Sequence, residues 1–508
     1  MAQSRIARLA SETAIYGLSS VVGRLINFLL FPFYSQVFPP DVFRPVVILY
    51  AAFIFFNIVY QHGMESAYLK FGTERKETVG RSQAFGTAML SVVLVTLAFS
   101  TIIWLLPEVA TSIVQLDPRY GYLMVLGGWI LFFDALAFVP FADLRLQGRA
   151  WLFAAIRLAN IAVNVGLNLW LILGLQWGIE AVLWANLIAS GSTFLLLLPV
   201  IVRRLGAPDK TLWRKLLRFG LPFVPGGIGY AITERINLFF LEQMKPERAI
   251  ELYDLTPANH PELAERAARL GNDIFTGHVV GVYGGIIKLA VLMALFVQMF
   301  RYAWQPFFLQ RQEDEDAPVL FGRIFRLLTL IMMAAFLGIS FLANELVALP
   351  LPGGRTLIAE PYWLGLFVIP IALLGYVFQG WYYHFSAGAY ISGLSKYFMH
   401  ATLFGSAVAL LLNATIVPYF GMWAAALATS AAYAVMAFSL LWLIQGHYPV
   451  PYAWRQVMST CALAGGLFAA WYFLPFLQIW YVELVMTAGF VAVGARMLDL
   501  SLSSLRDA

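Results

Sequence analysis

Residues 82–106, SQAFGTAMLSVVLVTLAFSTIIWLL, run for 25 positions without one charged side chain. At 1.5 Å per residue a helix of that length reaches about 37 Å, enough to cross a hydrocarbon core of about 30 Å. The run is long and apolar on every face, unlike the short alternating segments of a lipid-facing barrel. Thirteen more stretches read in the same way, near residues 11–37, 43–61, 121–144, 151–174, 178–202, 216–242, 277–300, 321–349, 361–385, 397–418, 421–445, 455–475 and 478–498. Apolar residues make up 61% of the 508 and charged ones 12%, a composition that no water-soluble globule can bury. The expected fold is an all-α polytopic membrane protein of fourteen transmembrane helices.

Orientation follows from the loops, because short loops rich in Lys and Arg stay in the cytoplasm. Alternate loops and both termini carry the basic residues, among them Lys70, Arg81, Arg145, Arg149 and the dense group Arg203, Arg204, Lys210, Arg214, Lys215 and Arg218. The opposite loops hold Arg44, Arg119, Arg355 and four basic residues of one longer loop. An even number of crossings with both termini cytoplasmic fits this alternation. The net charge of +5 lies beside the membrane, where headgroups and topology account for it, so no nucleic-acid role is expected. The N-terminus shows no short apolar core with a small-residue cleavage site, and its first span is read as a retained helix. Cys461, the single cysteine, permits neither a disulfide within the chain nor a cysteine-based metal site. No cofactor and no metal is expected.

A weak internal repeat divides the chain. Gly23-Arg24-Leu25-Ile26-Asn27-Phe28 is echoed by Glu234-Arg235-Ile236-Asn237-Leu238-Phe239, and Asn168 followed by Gly178-Ile179-Glu180-Ala181 by Asn413 followed by Gly421-Met422-Trp423-Ala424. The echoes fall on the first and seventh spans and on the junctions of the fifth with the sixth and the eleventh with the twelfth. The organisation expected is an N-terminal lobe over 1–204, a basic connector at 205–215, a second lobe over 216–446, and two further spans with a tail over 447–508. The second lobe is longer by an external insertion at 245–276, expected to hold a short amphipathic helix.

Four passages resemble the polysaccharide transporters of the MATE-like flippase superfamily, whose members include the O-antigen flippases. They are Ala14-Ile15-Tyr16-Gly17-Leu18-Ser19-Ser20 through Phe31-Pro32-Phe33-Tyr34; Phe219-Gly220-Leu221-Pro222-Phe223-Val224-Pro225; Ala303-Trp304-Gln305-Pro306-Phe307; and the run from Asn413 through Pro418-Tyr419-Phe420-Gly421 to Thr429. Trp423 stands where a second glycine is usual, which would loosen that turn. The resemblance spans nearly the whole chain, with the 245–276 insertion unlike the usual short loop. It implies two six-helix lobes and alternating access, and a lipid-linked oligosaccharide as cargo in the bacterial inner membrane.

The deep charges are mostly basic: Arg24, Arg157, Arg235 and Lys288. A charge at mid-membrane costs a helix about 2.5 to 3.5 kcal/mol on insertion scales, so these four are not expected to face lipid. The cargo that the resemblance implies carries a phosphate or pyrophosphate, which an Arg fork or a Lys ammonium suits. Arg24 and Arg235 rank first because they occupy repeat-equivalent places, then Lys288, then Arg157, which lies close enough to a helix end to snorkel. Asp134, Glu234 and Glu65 are candidates to couple H+ or Na+, with a counter-ion role equally open; Asp143, near Arg145 and Arg149, reads as an ordinary cytoplasmic helix end. Glu234 and Arg235, about 100° apart on a helix, must address different partners. Pro222 and Pro225 with Gly226 and Gly227 are expected to bend the seventh span as a hinge.

Two other functions compete. An ion-coupled drug antiporter of the same superfamily would carry more acid than base among its deep charges. A membrane oligosaccharide ligase or polymerase would need a large external loop, and His260, Glu262, Glu265 and Asp273 in the insertion form no catalytic motif. No G-x-x-x-x-G-K-[ST] occurs, so the chain is not expected to hydrolyse ATP. Beyond cargo and membrane lipids, the partners expected are other polysaccharide-assembly membrane proteins.

Overall fold

A computed structural model describes residues 23, 25, 28–74, 78–394 and 396–499. Of the first span, α1 (Phe28–Val37) is described as a helix together with the single positions Gly23 and Leu25, and Arg24 lies outside the described residues. The helices that follow are α2 (Pro40–Gln61), α3 (Met64–Glu74), α4 (Thr78–Leu105), α5 (Pro107–Ile113), α6 (Gly121–Leu146), α7 (Ala150–Leu169), α8 (Glu180–Arg204), α9 (Lys210–Gly220), α10 (Phe223–Leu241), α11 (Pro246–Tyr253), α12 (Pro261–Leu270), α13 (Asp273–Ile286), α14 (Val291–Gln310), α15 (Ala317–Phe341), α16 (Ala343–Val347), α17 (Ile369–Ile391), α18 (Lys396–Gln445), α19 (Trp454–Phe473) and α20 (Trp480–Met497). A two-residue antiparallel ribbon pairs Pro350 with Thr356 and Leu351 with Arg355.

Nine helical segments among the described residues are long and apolar enough to cross a membrane. One of them, α18, has 50 residues, about 75 Å of helix, and must hold two crossings. Gly421 divides it at φ 64° and ψ −138°, a backbone conformation open essentially to glycine alone. Helices α10, α19 and α20 occupy three more of the expected spans. Every span expected after the first therefore coincides with a helix, and the protein is an all-α polytopic membrane protein. Two details differ from expectation. The insertion holds two short helices, α11 and α12, each started by a proline whose missing N–H is harmless in a first turn. The seventh span is also shorter than 216–242: residues 210–220 form a separate helix, and the span begins at Phe223.

The chain forms two compact units: residues up to Leu30 together with Val42–Ala231, and Phe31–Asp41 together with Ile232 onward. In the first unit α6 packs between α4 and α8, with α7 along α8. In the second unit α17 lies along α18, while α14 and α15 pack on α17 and α19 and α20 on α15. Burial of small residues permits the close approach: Ala424, Ala425, Ala426 and Ala428 are all buried at the start of the second half of α18.

Candidate functional site

In the second unit, α10 carries Glu234 and Arg235 on adjoining faces. Tyr433 of α18 donates a short hydrogen bond to the Glu234 carboxylate, and Gln379 of α17 donates another at 3.3 Å. Gln379 Nε2 also reaches the Tyr433 hydroxyl at 2.8 Å, so three polar side chains from three helices close on one another. Arg235 addresses different groups, interacting electrostatically with Lys288 and Tyr283. Two residues further along α10, Asn237 donates to the Tyr283 hydroxyl at 2.8 Å and to Thr429 at 3.0 Å.

Lys288 sits on a one-turn 3-10 stretch, Ile287–Ala290, that interrupts the α13–α14 helix within its span. Such a tightened turn re-aims the side chain it carries. The ammonium lies 4.9 Å over the Phe31 ring, a cation–π contact. Gly285 makes room for that ring, since a Cβ there would stand 2.6 Å from Phe31.

The first unit holds a second cluster. Asp134 on α6 accepts a hydrogen bond from Ser190 on α8 and interacts electrostatically with Arg157 on α7. Arg157 stacks 4.5 Å over Phe141 and 5.6 Å from Phe153. Tyr50, which accepts from Asn186 at 2.8 Å, also feels the Asp134 charge.

Glu65 is placed elsewhere, paired with Arg145 at the end of α6. Asp143 is likewise more than an ordinary helix end: fully buried, it accepts from Tyr68 at 2.6 Å, from Arg204 at 3.2 Å and from Gln147. The expected span 216–242 breaks at Leu221–Pro222 between α9 and α10 rather than curving within one continuous helix. Pro222 lies in the turn between α9 and α10 and Pro225 in the first turn of α10, with Gly226 and Gly227 just after it.

The residues that the sequence reading missed are Tyr283, Gln379, Tyr433, Asn237 and Ser190. Each is a polar side chain within a long apolar run, a usable signal, but tyrosine and serine are frequent enough in membrane helices to hide it.

A family model described as polysaccharide biosynthesis protein matches residues 9–312, more than half of the chain. The chain belongs to the polysaccharide biosynthesis protein family. No curated protein matches it. Among solved structures this family member is similar to the lipid II flippase MurJ in an inward closed conformation, with a TM-score of 0.71 over 95% of this chain and 98% of that one at 12% identity. It is also similar to an inward-facing multidrug resistance MATE family transporter of the MOP superfamily, at 0.55 over 84% and 95% with 13% identity. A MOP superfamily transporter from Pyrococcus furiosus, described by a binding pocket of reverse polarity, gives 0.50 over 86% and 94% with 16% identity. At such identities the likeness is one of fold.

Proposed function

We propose that this protein moves a lipid-linked oligosaccharide, joined through a polyprenyl phosphate or pyrophosphate, across the bacterial inner membrane by alternating access, for assembly of a cell-surface polysaccharide. The observation that carries the reading is that two basic side chains of one unit, Arg235 on α10 and Lys288 in the α13–α14 span, interact electrostatically. Like charges repel strongly where the dielectric is low, and a phosphate entering between them relieves that repulsion while gaining charge-assisted hydrogen bonds. Arg157 is a basic residue of the other unit, and Arg24 is included as a cargo ligand on its repeat-equivalent position in the sequence alone. The family description and a fold shared with a lipid II flippase favour the same cargo class. The alternation of basic loops supports a cytoplasmic location for both termini.

A second reading has one observation in its favour: Glu234 and Asp134 are each held by neutral hydrogen-bond donors within the spans. An organic-cation antiporter would use such carboxylates for cargo; in the flippase they take H+ or Na+ and couple transport to a gradient. The deciding experiment reconstitutes the purified protein in vesicles holding a fluorescent lipid-linked oligosaccharide in both leaflets. Protein-dependent access of the inner-leaflet pool to an external reagent, lost in Arg235→Glu with Lys288→Glu, is the expected result. No redistribution, together with gradient-driven uptake of an organic cation, would overturn the flippase in favour of the antiporter.

A further inference from the structure

Helix α9 lies between α8, long and apolar enough to cross a membrane and ending at Arg204, and α10, which begins at Phe223 in the expected seventh span, so the connection places it at the membrane boundary. Asp209, the only acid between Ala181 and Thr233, is used up as its N-cap, accepting from Leu212 N at 2.5 Å. At 3.6 residues per turn Lys210, Arg214, Lys215 and Arg218 fall within an arc of roughly 140°. All four are exposed, while Leu212, Leu216 and Gly220 on the opposite side are buried. Arg203 just before the helix is exposed as well.

This face is held in place rather than left to swing. Trp213 Nε1 donates to Ser91 Oγ at 3.0 Å, and Ser91 in turn meets His62 Nε2 at 2.9 Å. Phe219 packs edge-on to Phe71 at 5.9 Å with the Lys70 ammonium 4.4 Å over its own ring. Gly63, at φ 73°, abuts Gly220 so closely that a Cβ would stand 2.1 Å from the Gly220 carbonyl oxygen. The flanking residues Val202, Leu205, Leu221 and Phe223 are exposed hydrophobics, side chains that suit an acyl-chain environment. An arc of four cations, bordered by apolar side chains and with the capping Asp209 as the one acid of its own connection, complements a sheet of negative headgroups.

We propose that α9 is a binding platform for anionic phospholipid headgroups, engaging their phosphates through Lys210, Arg214, Lys215 and Arg218. The bound lipid clamps α9 against the break in the α2–α3 helix at His62–Gly63, so anionic lipid stabilises this unit. The platform does not depend on the identity of the cargo.

The test uses the full-length protein in nanodiscs of phosphatidylcholine mixed with phosphatidylglycerol, with retained lipid counted after extraction into detergent. The wild type should keep phosphatidylglycerol in preference to phosphatidylcholine and should gain thermal stability from it in a salt-sensitive manner. Each cation changed to Gln should weaken retention by about fivefold, the factor that corresponds to about 1 kcal/mol per basic residue near the surface. Because these cations also bear on orientation, two pairs are compared, K210Q/R214Q and K215Q/R218Q, together with R214K/R218K, which should retain lipid as the wild type does. Unchanged phosphatidylglycerol retention in both Gln pairs overturns the proposal. So does retention lost equally in the Lys pair, or capture of a soluble acidic protein by the patch with no preference between the two lipids.

Discussion

Arg266 of α12 grips Asp41 at the start of α2 with both arms of its guanidinium, Nε to Oδ2 and Nη2 to Oδ1, each at 3.0 Å. The two side chains are unequal in burial: Asp41 is 5% exposed and Arg266 29%. Replacing Arg266 by Met strands a buried carboxylate with His278, 3.9 Å away, as its remaining basic neighbour. Stranding a fully buried charge costs about 3 to 5 kcal/mol; with one partner partly open to water, about 2 to 3 kcal/mol is expected. Asp41→Asn leaves a guanidinium that can turn to solvent, and about 1 kcal/mol is expected. The assay is proteolysis of the exposed loop Pro257–Asn259 between α11 and α12, whose cleavage follows the population in which the insertion is open. Arg266→Met should raise the cleavage rate roughly 30- to 150-fold and Asp41→Asn roughly fivefold, at 1.4 kcal/mol per factor of ten. The double variant should fall below the product of the two, because the stranded charge is gone. Equal rates for the two single variants, or a double variant equal to their product, would refute the account of a buried pair whose cost lies in the carboxylate.

Further outcomes follow from other parts of the structure. Tyr253 accepts from Met422 N at 2.7 Å beside Gly421, and burial pushes its phenol up to about 12, so it stays neutral at physiological pH. Tyr253→Phe should lower thermal stability by about 1 to 3 kcal/mol through the orphaned N–H, while Gly421→Ala should lose more and not be rescued by Tyr253→Phe, since its φ remains positive; a stable Gly421→Ala protein would contradict the strained turn. Pro222→Ala with Pro225→Ala should slow transport at normal membrane abundance, and full activity would reduce these prolines to helix-start residues. Thr211→Cys should resist and Asn259→Cys accept an impermeant thiol reagent in intact cells, each in a Cys461→Ala background, and the reverse pattern would invert the orientation. At Arg24 and Arg235, charge reversal should impair cargo export most, alanine less and lysine least, because lysine keeps the charge and loses the planar fork; normal export and abundance in the double alanine variant would remove both from the site.

Length and apolarity alone determined the spans, because a bilayer demands about 20 apolar residues per crossing and offers the backbone no partner but itself. Residues 82–106 could be assigned to a crossing with no knowledge of any neighbour. The intramembrane charges were legible for the same reason: Arg235, Lys288 and Asp134 stand out in apolar runs where each is expensive. What each charge meets was not legible, because partners come from helices far apart in the chain. Glu234 finds Gln379 and Tyr433 across 145 and 199 residues, Asp41 finds Arg266 across 225, and only packing brings them together. Local exceptions escaped as well. The 3-10 turn under Lys288 has no proline to announce it, and the Pro222 and Pro225 pair reads as a bend inside one span over 216–242, whereas α9 ends at Gly220 and a second helix begins at Phe223. Periodicity and hydropathy report which surface a residue prefers; which other residue shares that surface is decided by the tertiary fold.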